Sequence, residues 1–177
     1  MEQIDLFAQN QYLANILQLF LNPTPYFLAL VFIFLAVFFY GMRAGRGKTV
    51  LLLLSLYAAS VLTDLFPYEE RLLENFQTDP FYLKAGLFIA SIIVSFNVLL
   101  RSPLRAFAFQ EKRSPILHIL LLSILILGIF MSYLTTILPE EYLAQLDHPV
   151  FKYFKTQNAQ FWWSLAGLVG MAFIRKP

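Results

Sequence analysis

The sequence contains no cysteine, and this absence excludes several classes of site at once. Disulfide bonds, zinc–thiolate centres, iron–sulfur clusters and thiol nucleophiles all require a cysteine side chain. Charged residues are scarce as well: they make up 14% of the 177 residues, against about 25% in soluble domains. The net charge is only +2, and no basic stripe with interleaved aromatic residues occurs, so we expect no nucleic-acid partner.

Apolar residues take the place of the missing charge. They make up 59% of the chain, and they include nineteen phenylalanines spread through long runs. A helix that crosses the hydrocarbon core of a bilayer needs about 17–25 mostly apolar residues. The sequence therefore predicts an all-α, polytopic integral membrane protein of four or five transmembrane helices, with a single membrane domain over residues 1–177.

Four runs are long enough for spanning helices, and a fifth run is shorter. The predicted spans cover residues 25–42, 49–66, 81–100 and 115–138. The fifth run, residues 161–174, reaches about two-thirds of the way across a ~30 Å core at ~1.5 Å per residue. It fits a short spanning helix, a re-entrant segment or an interfacial helix.

The segment ahead of the first run, residues 2–22, mixes Leu, Ile and Phe with Gln, Asn and Asp. Its apolar residues can share one helical face, which favours an amphipathic helix that lies on the membrane surface. A helix that packs on the outer loops fits the pattern equally well. Pro23 and Pro25 end either helix before the first span.

The basic residues are concentrated in the linkers after the first and third spans and in the C-terminal tail. If these three segments share one side, that side holds nine of the thirteen basic residues and one acid. An excess of Lys and Arg marks the cytoplasmic side, so we expect the N-terminus outside and a cytoplasmic C-terminus if the fifth run crosses. The candidates for contact with anionic lipid headgroups are Arg43, Arg46, Lys48, Arg101 and Arg105.

The two loops expected on the outer side resemble each other. Residues 66–84 and residues 138–152 each hold a proline followed by a pair of glutamates, a leucine-rich turn, an aspartate near a second proline, and a lysine. Two similar hairpins, residues 42–100 and 101–176, would explain the likeness and favour a fifth segment that crosses. The alternative is that Pro-Glu-Glu simply starts short helices, since proline and acids both suit a helix N-terminus.

Three polar residues in the predicted spans are candidates for an interhelical contact or a transport path. Asp64 lies within three residues of Pro67, near the outer surface, where it is either a hydrated helix-end residue or a proton or ion site. Asn97 and His118 each lie about one turn into the membrane from the inner side. They can hydrogen-bond between the third and fourth helices, a contact worth roughly 0.6–2 kcal/mol, and a proton relay is the alternative.

Small residues recur at four-residue spacing and permit close helix contact, within the protein or between protomers. The pairs are Ser55 with Ala59, Gly86 with Ala90, Ser91 with Ser95, and Ala166 with Gly170. Candidate partners are therefore a second copy of the chain or other membrane proteins.

No catalytic set assembles from the sequence. The chain has two histidines, expected on opposite sides of the membrane, and neither an H-E-x-x-H nor a G-x-S-x-G pattern. Residues 45–49 (GRGKT) resemble the end of a phosphate-binding loop, but that pattern requires a glycine where Met42 stands and a preceding strand. We expect no enzymatic activity, no metal and no cofactor.

Residues 38–62 (FFYGMRAGRGKTVLLLLSLYAASVL) form a Gly/Arg-rich turn between two apolar helices. With Gly41, Arg43, Gly45 and Arg46, this stretch resembles the CvpA family, the colicin V production proteins of bacterial inner membranes, and the resemblance lies mainly in residues 38–100. In that family a first helix ends in such a cytoplasmic turn and the second helix follows at once. The resemblance implies a non-enzymatic role in the bacterial envelope, related to secretion or homeostasis.

Two functions follow from these features. The first is a small, CvpA-like scaffold or accessory subunit of the inner membrane. The second is a component of a transporter or channel, with a polar path at Asp64 or at Asn97 and His118. A buried Asp64, or Asn97 and His118 facing water, would favour the second function, whereas polar residues that pack tightly or face lipid would favour the first.

Overall fold

A computed structural model describes residues 24–68, 71–73, 79–104, 106, 115–145, 151–156 and 158–173. Over these residues the chain is helical and forms no strand, so the predicted all-α class is confirmed for the described part. The helices are α1 (Pro25–Ala44), α2 (Arg46–Asp64), α3 (Pro80–Arg101), α4 (Ile116–Ile137), α5 (Glu140–Gln145), α6 (Lys152–Lys155) and α7 (Ala159–Phe173). The predicted amphipathic helix at residues 2–22 lies outside the described residues.

Helices α1 to α4 are each long and apolar enough to cross a membrane, which is consistent with a multi-pass membrane protein. Their bounds agree with the predicted spans to within three residues at each end. Helix α7 corresponds to the predicted fifth run; its 15 residues correspond to about 22 Å of helix.

The linker between α1 and α2 is shorter than predicted, because helix continues almost through the Gly/Arg-rich segment. Gly45 alone separates the two helices, with φ 85° and ψ 163°, a backbone conformation open mainly to glycine. Arg43 therefore lies in the last turn of α1, while Arg46 and Lys48 lie in the first turn of α2. A helix N-terminus is positive, so these last two cations oppose the dipole of α2.

Proline and aspartate set the ends of α3 and α4. The carboxylate of Asp79 accepts a hydrogen bond from the Phe81 backbone N–H at 2.9 Å, and Pro80 occupies the first helical position of α3. Pro115 precedes α4, and Pro139 follows its end, where the chain leaves the helical conformation at Leu138. The three prolines lack the backbone N–H that a helix interior needs.

The chain divides into two compact units, residues 1–32 and 33–177, and only residues 24–32 of the first are described. In the second unit, α4 lies at the centre and packs against α2, α6 and α7, while α2 packs along α3. The core cluster consists of Leu53, Leu56, Ala59, Phe88, Leu122, Leu125, Ile126, Ile129 and Tyr133.

Helix α7 packs closely along α4 because a glycine makes room for an indole ring. A Cβ atom added at Gly128 would overlap the ring of Trp163. Further along, a Cβ at Gly170 would meet the side chain of Leu125, so the two helices run antiparallel. Trp163 also stacks on Phe154 with ring centroids 5.4 Å apart, which ties α7 to α6.

Candidate functional site

A cleft of about 440 Å³ opens where α2 ends, α3 begins and α4 ends. We call it the terminal cleft. It is lined by Thr63, Asp64, Asp79, Pro80, Phe81, Lys84, Tyr133, Thr136, Ile137, Leu138 and Pro139. Asp64, a candidate from the sequence, thus shares the cleft with Asp79, which precedes α3, with Lys84 of α3, and with the hydroxyls of α4.

Asp64 forms an interhelical hydrogen bond. The Tyr133 hydroxyl of α4 donates to the Asp64 carboxylate of α2 over 2.8 Å. Tyr133 is only 2% exposed, and its ring lies against Phe88 with centroids 4.2 Å apart. The Asp64 side chain itself is exposed, so its charge reaches the cleft while Tyr133 fixes its position.

Sequence reasoning named Asp64 but missed Tyr133. The signal was present, since a tyrosine inside an otherwise apolar span needs a partner for its hydroxyl when it is buried. That signal does not identify the partner, which lies 69 residues earlier in the chain.

The rim of the terminal cleft is aromatic. The Phe81 ring lies 5.3 Å from the Tyr82 ring and 6.1 Å from the Tyr142 ring, centroid to centroid. A hydrogen bond with Tyr82 raises the pKa of the Tyr142 hydroxyl, and the negative charges of Asp79 and Glu141 act in the same direction. This shift favours the neutral, hydrogen-bonding form of the Tyr142 hydroxyl.

The structure does not join Asn97 and His118 by a hydrogen bond. The Asn97 amide is exposed and donates instead to the carbonyl of Ile93, one turn earlier in its own helix, over 2.8 Å. Nδ1 of His118 is buried and has no hydrogen-bond partner among the described residues. His118 lies in the first turn of α4, at the end opposite to the terminal cleft.

Buried hydroxyl groups along α2 and α4 donate to backbone carbonyls three or four residues earlier in the chain. They belong to Thr49, Ser55, Thr63, Ser123, Ser132 and Thr135. Thr135 also donates to the Phe154 carbonyl over 2.9 Å, and this contact anchors α6 to α4. Such local bonds satisfy the hydroxyl protons without water.

An apolar layer separates the terminal cleft from the His118 end of the bundle. Phe88 and Tyr133 pack on the side of the layer nearer to the terminal cleft. Leu53 and Leu122 are fully buried farther from the cleft. Within the described residues, these buried apolar side chains lie between the polar groups of the two ends.

The described basic residues predicted to face the cytoplasm share one end of the bundle. Gly41 of α1 approaches both Thr49 of α2 and Ile119 of α4, which places the start of α4 beside the α1–α2 junction. The end of α2 and the start of α3 both line the terminal cleft, so these two helices run antiparallel. Arg43, Arg46, Lys48 and Arg101 thus lie at the end away from the cleft, whereas Arg105 lies outside the described residues.

In the described part of the chain, no three His, Asp or Glu side chains are grouped so that they could hold a metal ion. Comparison with known proteins gives no relative: no protein-family model, no curated protein and no solved structure matches this chain. The resemblance to the CvpA family therefore stays a prediction.

Proposed function

We propose that this chain is a small, non-enzymatic, CvpA-like membrane protein that acts as a scaffold or accessory subunit in the bacterial inner membrane. The proposal rests on the Gly/Arg-rich turn of residues 38–62 and on the way the bundle uses its polar groups. Its role would concern secretion or homeostasis of the envelope, in association with other membrane proteins or with further copies of itself.

The observation that carries the proposal is the apolar core between the two ends of the bundle. Buried hydroxyls bond to their own helices, and an apolar layer lies between the terminal cleft and the opposite end. The exposed Asn97 amide likewise bonds within α3. A transport path requires polar groups that face water along the pathway, whereas a scaffold requires a packed core.

The lateral surface supplies the area for association that a scaffold needs. On α3, Ile89, Ile93, Val94 and Val98 are each more than half exposed, and Gly86 has nothing within 4 Å of an added Cβ. Small residues on an exposed helix face allow another helix to approach closely in lipid. This surface supports helix–helix association in the plane of the membrane.

The packing of α7 supports a fifth crossing and a cytoplasmic C-terminus. Trp163 lies over Gly128, and Gly170 lies level with Leu125, so α7 runs towards the end of α4 that follows the basic linker. With the positive-inside rule, this direction supports an external N-terminus and basic turns that meet anionic headgroups.

Single cysteines at positions 45, 75, 110, 145 and 177 test this topology, because the chain contains no cysteine of its own. An impermeant thiol reagent should label positions 45, 110 and 177 only from the cytoplasm, and positions 75 and 145 only from outside. Labelling of position 177 from outside would mean that α7 does not cross.

A second function, a subunit of a transporter or channel, is favoured by one observation. The Asp64 carboxylate, held by Tyr133, faces a cleft of about 440 Å³ at one end of three candidate spans. If the apolar layer opened in another conformation, Asp64 would be the first ionisable group on the path.

Purification from membranes after mild crosslinking, followed by a flux assay in liposomes, separates the two functions. The scaffold proposal predicts a defined partner or homo-oligomer and no proton or cation flux above that of empty liposomes. Flux that Asp64→Asn abolishes, while Glu141→Gln leaves it unchanged, would contradict the scaffold proposal and establish the second function.

A further inference from the structure

The polar side chains that line the terminal cleft are mostly hydrogen-bond acceptors. Two of them, Asp64 and Asp79, are carboxylates, which only accept hydrogen bonds when they are ionised. Asp64 accepts from the Tyr133 hydroxyl, and Asp79 accepts from the Phe81 backbone N–H. A carboxylate has about four acceptor sites, so both groups can accept further hydrogen bonds from a ligand in the cleft.

The hydroxyl groups of the cleft donate their protons to other groups of the protein. The Thr63 hydroxyl donates to the backbone carbonyl one turn earlier in α2 over 2.8 Å, and the Thr136 hydroxyl does the same in α4 over 2.9 Å. The Tyr133 hydroxyl donates to Asp64. A hydroxyl has one proton and two lone pairs, so none of these groups has a proton left for a ligand.

The charge of the lining is negative even with Lys84 included. Lys84 is the donor side chain among the lining residues that the structure describes, and it already makes a contact of its own within the protein. Two carboxylates against this one ammonium give a formal net charge of −1. The C-terminal ends of α2 and α4 line the cleft as well, and each carries roughly half a negative charge. The cleft therefore favours a ligand that is positively charged and donates hydrogen bonds.

The size and the apolar part of the cleft indicate an organic cation. The cleft volume of about 440 Å³ lies within the ~300–1,000 Å³ of small-molecule sites. Phe81, Ile137 and Leu138 line it beside the polar groups, and a carbon chain can bury its surface against them. The face of the Phe81 ring also attracts cations. A bare inorganic ion would make no use of these apolar side chains.

We propose that the terminal cleft binds a primary alkylammonium ion, with its nitrogen at Asp64 and its carbon chain on the apolar side of the cleft. An ammonium group has three donors and no acceptor, which matches a lining rich in acceptors. Because Tyr133 is buried and bonds Asp64, the carboxylate is held in place before the ligand binds. Binding does not depend on the scaffold function and requires no passage of the ligand across the membrane.

Thermal unfolding of the full-length protein tests this proposal, with n-butylammonium chloride as the probe. The protein is placed in phosphatidylcholine nanodiscs, whose headgroups have no N–H donor, and sodium chloride of equal ionic strength is the reference. A ligand that binds the folded state raises the melting temperature as its concentration increases, and the rise gives the affinity. n-Butanol has the same chain without the charge, and tetramethylammonium has the charge without N–H donors. n-Butylammonium should bind about tenfold more tightly than either of them.

Three substitutions locate the bound probe. Asp64→Asn should weaken the binding of n-butylammonium about tenfold, because a hydrogen bond to a charged group is lost. Asp79→Asn keeps the helix cap, since Asn and Asp cap about equally well, and it should also weaken binding. Glu141→Gln removes an exposed charge near the same end that does not line the cleft, and it should leave the affinity unchanged. Melting temperatures without the probe confirm that each variant is folded.

Each result decides the proposal. A preference for n-butylammonium that Asp64→Asn weakens and Glu141→Gln leaves intact supports it. Equal affinity for tetramethylammonium or n-butanol, unchanged affinity in Asp64→Asn, or a melting temperature that n-butylammonium does not raise above the sodium reference would overturn it. If Asp64→Asn does not fold, Asp79→Asn takes its place, and unchanged affinity in that variant would overturn the proposal.

Discussion

Helices α3 and α4 have the same length and similar composition, but their surroundings differ. Each has 22 residues and is apolar enough to span a membrane. Twelve residues of α4 are buried, against two of α3. Helix α4 lies among α2, α6 and α7, whereas the outward side of α3 carries exposed Ile93 and Val98.

The difference shows what hydropathy indicates in a membrane protein. Lipid tails are as apolar as leucine, so hydropathy does not separate a helix face that meets lipid from one that meets protein. Small residues do not separate them either. Gly128 of α4 admits the Trp163 ring, whereas Gly86 of α3 has open space around it.

The largest expected effect comes from closing the space that Gly128 leaves for Trp163. Gly128→Leu should destabilise the protein by about 3 kcal/mol or prevent folding, because overpacking forces α7 away from α4. Gly86→Leu is the matched control on α3 and should leave the melting temperature nearly unchanged. Similar melting temperatures for the two variants would mean that α7 does not pack against α4 in the membrane.

A cavity in α4 should have the next largest effect. Leu122 is completely buried, so Leu122→Ala should lower the free energy of unfolding by about 2–3 kcal/mol, chiefly through the cavity left behind. Leu117, five residues earlier on the same helix, is 75% exposed, and Leu117→Ala should cost under about 0.5 kcal/mol. Chemical denaturation in mixed micelles measures both. Equally small losses of stability in the two variants would mean that both side chains face lipid.

The hydrogen bond between α4 and α2 should contribute less. Tyr133→Phe removes the hydroxyl that bonds Asp64 and should cost about 1 kcal/mol. Asp64→Ala removes the acceptor of the same bond and should cost a similar amount. If the double variant is no less stable than Tyr133→Phe alone, the two groups interact; additive losses would show that they do not.

Local rules predicted the helices well and their contacts poorly. The bounds of α3 follow from Asp79 and Pro80 at its start, and those of α4 from Pro115 and Pro139 at its two ends. These signals act within a few residues. The Tyr133–Asp64 pair and the terminal cleft depend on residues far apart in the chain, which local patterns do not bring together.

The Gly/Arg-rich turn illustrates the same limit on a smaller scale. The sequence predicted a Gly/Arg-rich turn between two helices, but of its three glycines only Gly45 adopts a positive φ, and Gly41 and Gly47 are helical. Gly41 is instead needed where α1 approaches Ile119. A glycine count alone does not separate a requirement for backbone freedom from a requirement for space.

The smallest expected effect tests whether the outward face of α3 meets lipid or a partner. Asn97 is exposed there and bonds only to Ile93 of its own helix among the residues described, so Asn97→Leu should change the stability of the isolated protein by less than about 0.5 kcal/mol. If this face binds another helix, the same substitution should change the yield of crosslinked partner or homo-oligomer in native membranes, because an asparagine amide can bond between helices in lipid. Val98→Leu, beside it on the exposed surface, is the apolar control. A loss of stability in the isolated protein would instead show that Asn97 packs within the bundle, and α3 would then resemble α4 more closely than its exposure indicates.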